Sequence, residues 1–275
     1  MMAHDEGSKP LRSAGDKRGY FVDNTFHLTH DAGFFSMCSV GLAELCREKT
    51  PTSAVFANKA FSNFGKDTGK NPWDFYFRQP REDISAPFSE KNPFGRRLRH
   101  HSDYTTLPLK RVRQHMARYF YPGDEVKRIE AELVAKYAIK PSRTITVCYR
   151  GTDKGTEIAI ADPEVYLEKT RALLKRHPRS RVLVQTDQSQ VRDFLMNNLG
   201  DCAFYIDEMP VTETSTAIHQ VINQHQQVSF GQTLLAAVLI MASTKHLVTH
   251  TGNMALWTVL YRGHVRGVTQ LGLPT

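Results

Sequence analysis

From Ser142 onward the chain alternates short apolar runs with amphipathic stretches, and this alternation restricts the fold more than any other feature. "TITVCY", "RVLVQTD", "AFYIDE" and "HLVTH" read as strands. Between and after them, "DPEVYLEKTRALLKRHP", "SQVRDFLMNNLG", "TLLAAVLIMAS" and "NMALWTVLYRG" read as helices. Asp162 is placed to cap the first of these, with Pro163 at its first helical position. Gly200 ends the second. A repeated strand–helix order predicts a parallel sheet with helices on both faces. In such sheets ligands bind beyond the carboxyl ends of the strands. The informative residues are therefore Arg150–Glu157, Thr186–Asp187, Asp207–Glu208 and His250–Asn253.

Upstream, the texture is less regular. Residues 1–19 form a polar stretch without an apolar signal core, which predicts a cytoplasmic protein. Residues 20–141 read as a first α/β domain, and residues 142–275 as a second. "GFFSMCSVGLAELCREKT" has helical spacing after Gly33, and "TSAVFA" is strand-like. "REDISAPFSEKNPFGRRLR" (Arg81–Arg99) reads as an irregular excursion. "GDEVKRIEAELVAKYAI" reads as an amphipathic helix capped by Asp124. The longest apolar run, Thr233–Ser243, falls short of the ~20 residues that span a bilayer, so it reads as a core helix.

Of 275 residues 23% are charged, with a net charge of +8. That balance admits an anionic partner, either a phosphate-bearing molecule or nucleic acid. The basic clusters "RRLRHH" and "KRVRQH" support the nucleic-acid reading, but no nucleic-acid module is recognisable. The four cysteines form no metal-binding spacing, and His246 and His250 lie on a strand without HExxH. No metal is expected.

The loop "YRGTDKGTE" after the first strand of the second half carries the richest chemistry. It contains neither GxGxxG nor GxxxxGK[ST]. An arginine at a strand end, Arg150, can grip a phosphate with its planar fork. Lys154 adds a second cation. Gly151 and Gly155 allow tight turns, and Glu157 is a candidate general base. The alternative is a solvated loop with local Asp–Lys pairs. Asp187 or Ser189 can act as a helix cap instead of a site residue. Thr251, Gly252 and Asn253 open a helix, which makes an anion site. Gly33, near His30, either admits a ligand or serves chain geometry.

"VCYRGTDKGTE" resembles the first motif of the α-1,6-fucosyltransferase superfamily, which includes nodulation and core fucosyltransferases. "VLVQTD" is similar to the second motif, and "HLVTHTGNMALW" to the third. The resemblance touches most of residues 20–265 and is most specific in the first motif. It implies an α/β, GT-B-like fold of two Rossmann-like halves, with a parallel sheet in the C-terminal half. It implies a metal-independent, inverting glycosyltransferase that takes a sugar from a nucleotide diphosphate to a glycan hydroxyl. Arg150 matches the arginine on the donor β-phosphate, and Lys154 and Glu157 match residues near the acceptor. Gly151, Thr152, Asp153, Asp187, Thr251, Gly252, Asn253, Gly33 and His30 fall at donor-side positions. Cys148 and Ala237 depart from the guanine-contacting residues of core fucosyltransferases. GDP-fucose is the leading donor, and a UDP-sugar such as UDP-xylose is the alternative.

Overall fold

A computed structural model describes residues 19–22, 25–29, 32–46, 64–65, 70–78, 102–151, 160–214, 218, 222–223 and 226–272. Two ribbons of paired strands stand in the N-terminal half. β1 (Gly19–Val22) pairs antiparallel with β2 (Thr25–Leu28), and α1 (Phe34–Leu45) follows. β3 (Phe77–Arg78) pairs with β4 (Tyr121–Pro122). Between β3 and β4 lies α2 (Leu109–Tyr119), and after β4 comes α3 (Asp124–Lys136). The strand-like "TSAVFA", the excursion Arg81–Arg99 and the "RRLRHH" cluster lie outside the described residues.

The second half holds a five-stranded parallel sheet. β5 (Thr144–Tyr149), α4 (Pro163–Arg176), β6 (Arg181–Thr186), α5 (Ser189–Leu199) and β7 (Ala203–Phe204) build one side. α6 (Gln227–Ser243), β8 (His246–Thr249), α7 (Asn253–Arg262) and β9 (Val268–Gln270) build the other. The spatial order is β7-β6-β5-β8-β9. The order therefore reverses between β5 and β8, which opens a crevice above their carboxyl ends. This is the α/β architecture with a C-terminal parallel sheet that the alternation predicts.

Strand alternation sorts the side chains by face. Ile145, Val147, Val182, Val184 and Val248 form one core with Tyr166 and Leu167 of α4 and Val191 and Leu195 of α5. Cys148, Leu183 and Leu247 face the other way, into a larger core with α6, α7 and the N-terminal half. That second core is continuous across residue 141. Trp257 of α7 packs its ring against Phe35 at 5.9 Å and Phe120 at 4.8 Å. The Tyr261 hydroxyl donates to the Phe120 carbonyl at 2.9 Å, and the Gln232 amide to that of Phe75 at 3.0 Å. α6 is apolar around most of its circumference because it is packed on several sides, as a buried helix must be. No helix among the described residues is long and apolar enough to cross a membrane.

Several local expectations need correction. Asp124 is the first residue of α3 and not its cap. Gly123 takes the cap position, and the Asp124 carboxylate pairs with Arg78 at 3.3 Å. Asp162 holds the cap position of α4, yet its side chain makes no cap hydrogen bond. "AFYIDE" pairs only through Ala203–Phe204. The Asp207 N–H is taken by the Tyr137 hydroxyl at 2.8 Å, and Glu208 receives Lys136 at 2.7 Å. The strand end is thus drawn onto α3 before the ladder can continue. "KRVRQH" is the start of α2. Val112, His115, Met116 and Tyr119 face inward, while Lys110, Arg111 and Arg113 form its solvated face.

Candidate functional site

The parallel register sets Tyr149 opposite Thr186, so Arg150 and Asp187 leave their strands side by side. Arg150 Nε lies 3.7 Å from Asp187 Oδ2, and the Gly151 N–H donates to Asp187 Oδ1 at 3.1 Å. Both side chains remain partly exposed, so solvent screens the pair and it adds little stability. Its effect is to orient the guanidinium. Asp187 is itself anchored, since its carbonyl accepts from Thr212 N at 2.9 Å. The helix that follows starts from Gln188, without a side-chain cap. The Asp187 carboxylate therefore serves the β5 loop and not α5, and Ser189 is the first helical residue rather than the cap.

Gly151 sits in close quarters with two side chains that a larger residue would have to displace. A Cβ there would lie 2.8 Å from both Gln188 Cδ and Tyr149 Cε1. Gly33 is different: a Cβ would meet nothing within 4 Å, so space alone does not demand glycine.

These residues border a cavity of about 220 Å³. Its sheet side is Tyr149, Arg150, Gln185, Thr186 and Asp187. Opposite stand the first residues of α1, from Gly33 to Ser36, and of α7, Asn253 and Met254. Both helices begin after a glycine and carry no side-chain cap. Their positive ends therefore point at the cavity and favour an anion. Phe230 and Leu234 of α6, with Met209, Pro210 and Ile218, complete an apolar wall.

The two helix ends are tied together. Ser39 Oγ accepts from Trp257 Nε1 at 2.8 Å and lies 3.2 Å from Asn253 Oδ1. Tyr104 fixes the turn before α7: its hydroxyl accepts from Gly252 N at 3.0 Å and lies 3.1 Å from the Gly252 carbonyl. Burial pushes the Tyr104 phenol up, so it stays neutral. Burial likewise pushes the Cys148 thiol up to about 12. Its sulfur lies 4.0 Å from His250 Nδ1, beneath the crevice. His246 lies at the opposite end of β8, where its ring stacks on His177 at 4.6 Å.

The structure thus brings Arg150, Asp187, Asn253 and Gly33 to one cavity. Thr251 turns away from it. Its buried hydroxyl donates to the Leu271 carbonyl at 2.8 Å and accepts from Gln270 at 3.0 Å. Gly252 is held by Tyr104 behind the cavity wall. Asp207 and Glu208 are engaged by α3, and Ala237 is buried within α6. Thr152, Asp153, Lys154, Glu157 and His30 lie outside the described residues. Sequence reasoning missed the apolar wall, Tyr104 and Gln185. The signal for Gln185 was visible, as an amide directly after the apolar run "VLV" and inside the strand.

No protein-family model matches the chain, and no curated protein matches it. Among solved structures the chain is similar to NodZ α-1,6-fucosyltransferase soaked with GDP-fucose, with a TM-score of 0.38 and 14% identity over 56% of this chain and 47% of that one. The same enzyme co-crystallised with GDP gives 0.37 and 14%, over 56% and 45%. The apo form of POFUT1 gives 0.36 and 11%, over 55% and 47%. The chain spans about half the length of these structures.

Proposed function

We propose that the cavity is the donor site of a metal-independent, inverting glycosyltransferase. The carrying observation is Arg150, held by Asp187 at the carboxyl end of the central strand and facing two uncapped helix N-termini. That arrangement suits a phosphate or diphosphate. The apolar wall suits the flat or apolar remainder of a nucleotide sugar. The "RGTDKGTE" motif supplies the rest of the reading: six residues separate Arg150 from Glu157 in the sequence.

In this mechanism Glu157 takes the proton from a glycan hydroxyl, and that oxygen attacks the anomeric carbon as positive charge develops there. The bond to the diphosphate breaks. Arg150 and the helix ends receive its growing negative charge in a partly water-excluded site. Lys154 adds a cation near the acceptor, and Thr152, Asp153 and His30 belong to the donor side. Thr251 and Gly252 act indirectly, by fixing the start of α7. The N-terminal half receives the acceptor, and residues 142–275 hold the donor. GDP-fucose is the favoured donor, and a UDP-sugar such as UDP-xylose uses the same phosphate grip.

Calorimetric titration with GDP, UDP, ADP and CMP, without added metal, tests this. We expect one nucleoside diphosphate to bind, and Arg150→Ala to weaken it by roughly 10–100-fold, the value of a charge-assisted hydrogen bond. Glu157→Gln should slow sugar transfer while donor affinity stays near wild type. If no nucleotide binds, the basic face of α2 becomes the feature to pursue, and a salt-dependent gel shift would then read out nucleic-acid binding.

A further inference from the structure

One side chain on the cavity floor has no structural explanation. Gln185 is only 5% exposed, yet its Oε1 has no hydrogen-bond partner among the described residues. An orphaned buried amide costs stability, so folding alone does not favour it. Deeper on the same face, Leu183 and Leu247 pack into the core, and the polar Thr146 in register with them is paired, its hydroxyl 2.9 Å from that of Thr244. In register, Gln185 sits beside Cys148, which in turn sits beside Thr249. These three form a row across the sheet just below the crevice. Thr186 is the last strand residue and accepts from Gln188 N at 3.2 Å, so it is occupied locally.

Depth gives Gln185 a separate role from Arg150. Arg150 stands level with Asp187, two residues beyond Gln185 along the strands. Two residues of strand span ~7 Å, so the arginine grips at the rim and the glutamine waits at the floor. A ligand held by its phosphates at Arg150 reaches Gln185 only with its other end.

We infer that Gln185 is a specificity-determining residue whose amide hydrogen-bonds a hydroxyl or amino group of the ligand's non-phosphate part. This inference rests on the donor-site reading given above. An amide offers both an acceptor and donors, which fits a sugar hydroxyl pair or a base edge. The affinity lost on removing it belongs to recognition and not to charge neutralisation.

The test compares wild type, Q185M and R150A by calorimetry with GDP, UDP and pyrophosphate, alongside thermal melting. Q185M conserves volume and removes the orphan acceptor. It should bind the preferred nucleotide about tenfold or more weakly, bind pyrophosphate as wild type does, and melt at the same or a higher temperature. R150A should weaken nucleotide and pyrophosphate together. Should Q185M fail to fold, Q185N carries the same test: weaker nucleotide, unchanged pyrophosphate. Wild-type nucleotide affinity in the Gln185 variants overturns this inference alone. A lower melting temperature with equal losses for both ligands shows a structural role and also overturns it. A wild-type chain that binds no nucleotide overturns the donor-site reading, and the role of Gln185 with it.

Discussion

Arg150 and Asp187 are positioned by backbone geometry before any ligand is present. Parallel register aligns them, and the Gly151 N–H locks the carboxylate. Gly151→Ala must push a Cβ into Tyr149 and Gln188. We expect a lower melting temperature and, under the proposed donor site, weaker nucleotide binding with it, measured by thermal shift and calorimetry. Gly33→Ala meets open space and should melt within a few degrees of wild type. Burial holds the Cys148 thiol near 12 and also raises those of Cys38 and Cys46. Brief iodoacetamide treatment of the native chain at pH 8 should therefore label Cys202, the one half-buried thiol, first. Peptide mapping that finds Cys148 labelled first would contradict the packing. The strand-end placement of Arg150 and Asp187 is legible in sequence because each directly follows an apolar strand run, while their being brought together is shown only by the register. Gln185 is harder, because within a strand only the tertiary structure shows that its amide goes unpaired.

At the scale of elements, the site depends on how α1 and α7 meet. Ser39 takes the Trp257 indole N–H in a buried setting, and Asn253 adjoins the same hydroxyl. Ser39→Ala leaves that N–H unpaired and should cost about 1–3 kcal/mol in urea unfolding. Tyr104→Phe keeps the ring but releases Gly252 N. The start of α7 should loosen, and under the proposed donor site calorimetry should show nucleotide affinity falling more than stability. α3 was readable from its 3.6-residue period and α4, α5 and α7 from their amphipathic stretches between strands, whereas α6 was readable as an apolar run too long for a strand and too short for a membrane span. α2 was obscured because its basic face dominates the text, while Val112, Met116 and Tyr119 carry its buried stripe. β9 was missed because three half-buried residues give no periodic signal. It exists because β8 offers an open edge, and there Gln270 reaches back to Ser102 and Thr251.

Across the molecule, the histidines set the response to pH. His246 is lowered by burial and by its neighbours His177, Lys245, Arg176 and Arg262. His177 is lowered by desolvation, Lys245 and Arg176, and His264 by burial, Arg262 and Arg266. His115 is lowered chiefly by burial. A histidine whose folded value lies below its unfolded one contributes stability above the unfolded value and loses it as pH falls. All four shifts share this sign. The melting temperature should therefore fall between pH 7 and pH 5, and His246→Gln should make the fall shallower. A flat profile in differential scanning fluorimetry would remove this account. The net charge of +8 acts in the same direction, since further protonation adds repulsion.

The sequence by itself determined the strand–helix alternation after Ser142, and with it a parallel sheet whose strand ends carry Arg150 and Asp187. These follow from local periodicity and chain order, which neighbours along the chain can encode. Tertiary structure alone decided which strand-end residues share a cavity. It turned Thr251 toward Leu271, drew Asp207 and Glu208 onto α3, and brought Gly33 and Asn253 face to face with Arg150. The reason is physical. Periodicity fixes which face of an element is buried, but the partner of that face comes from contacts between distant residues. Ser39 and Trp257, 218 positions apart, are such a pair.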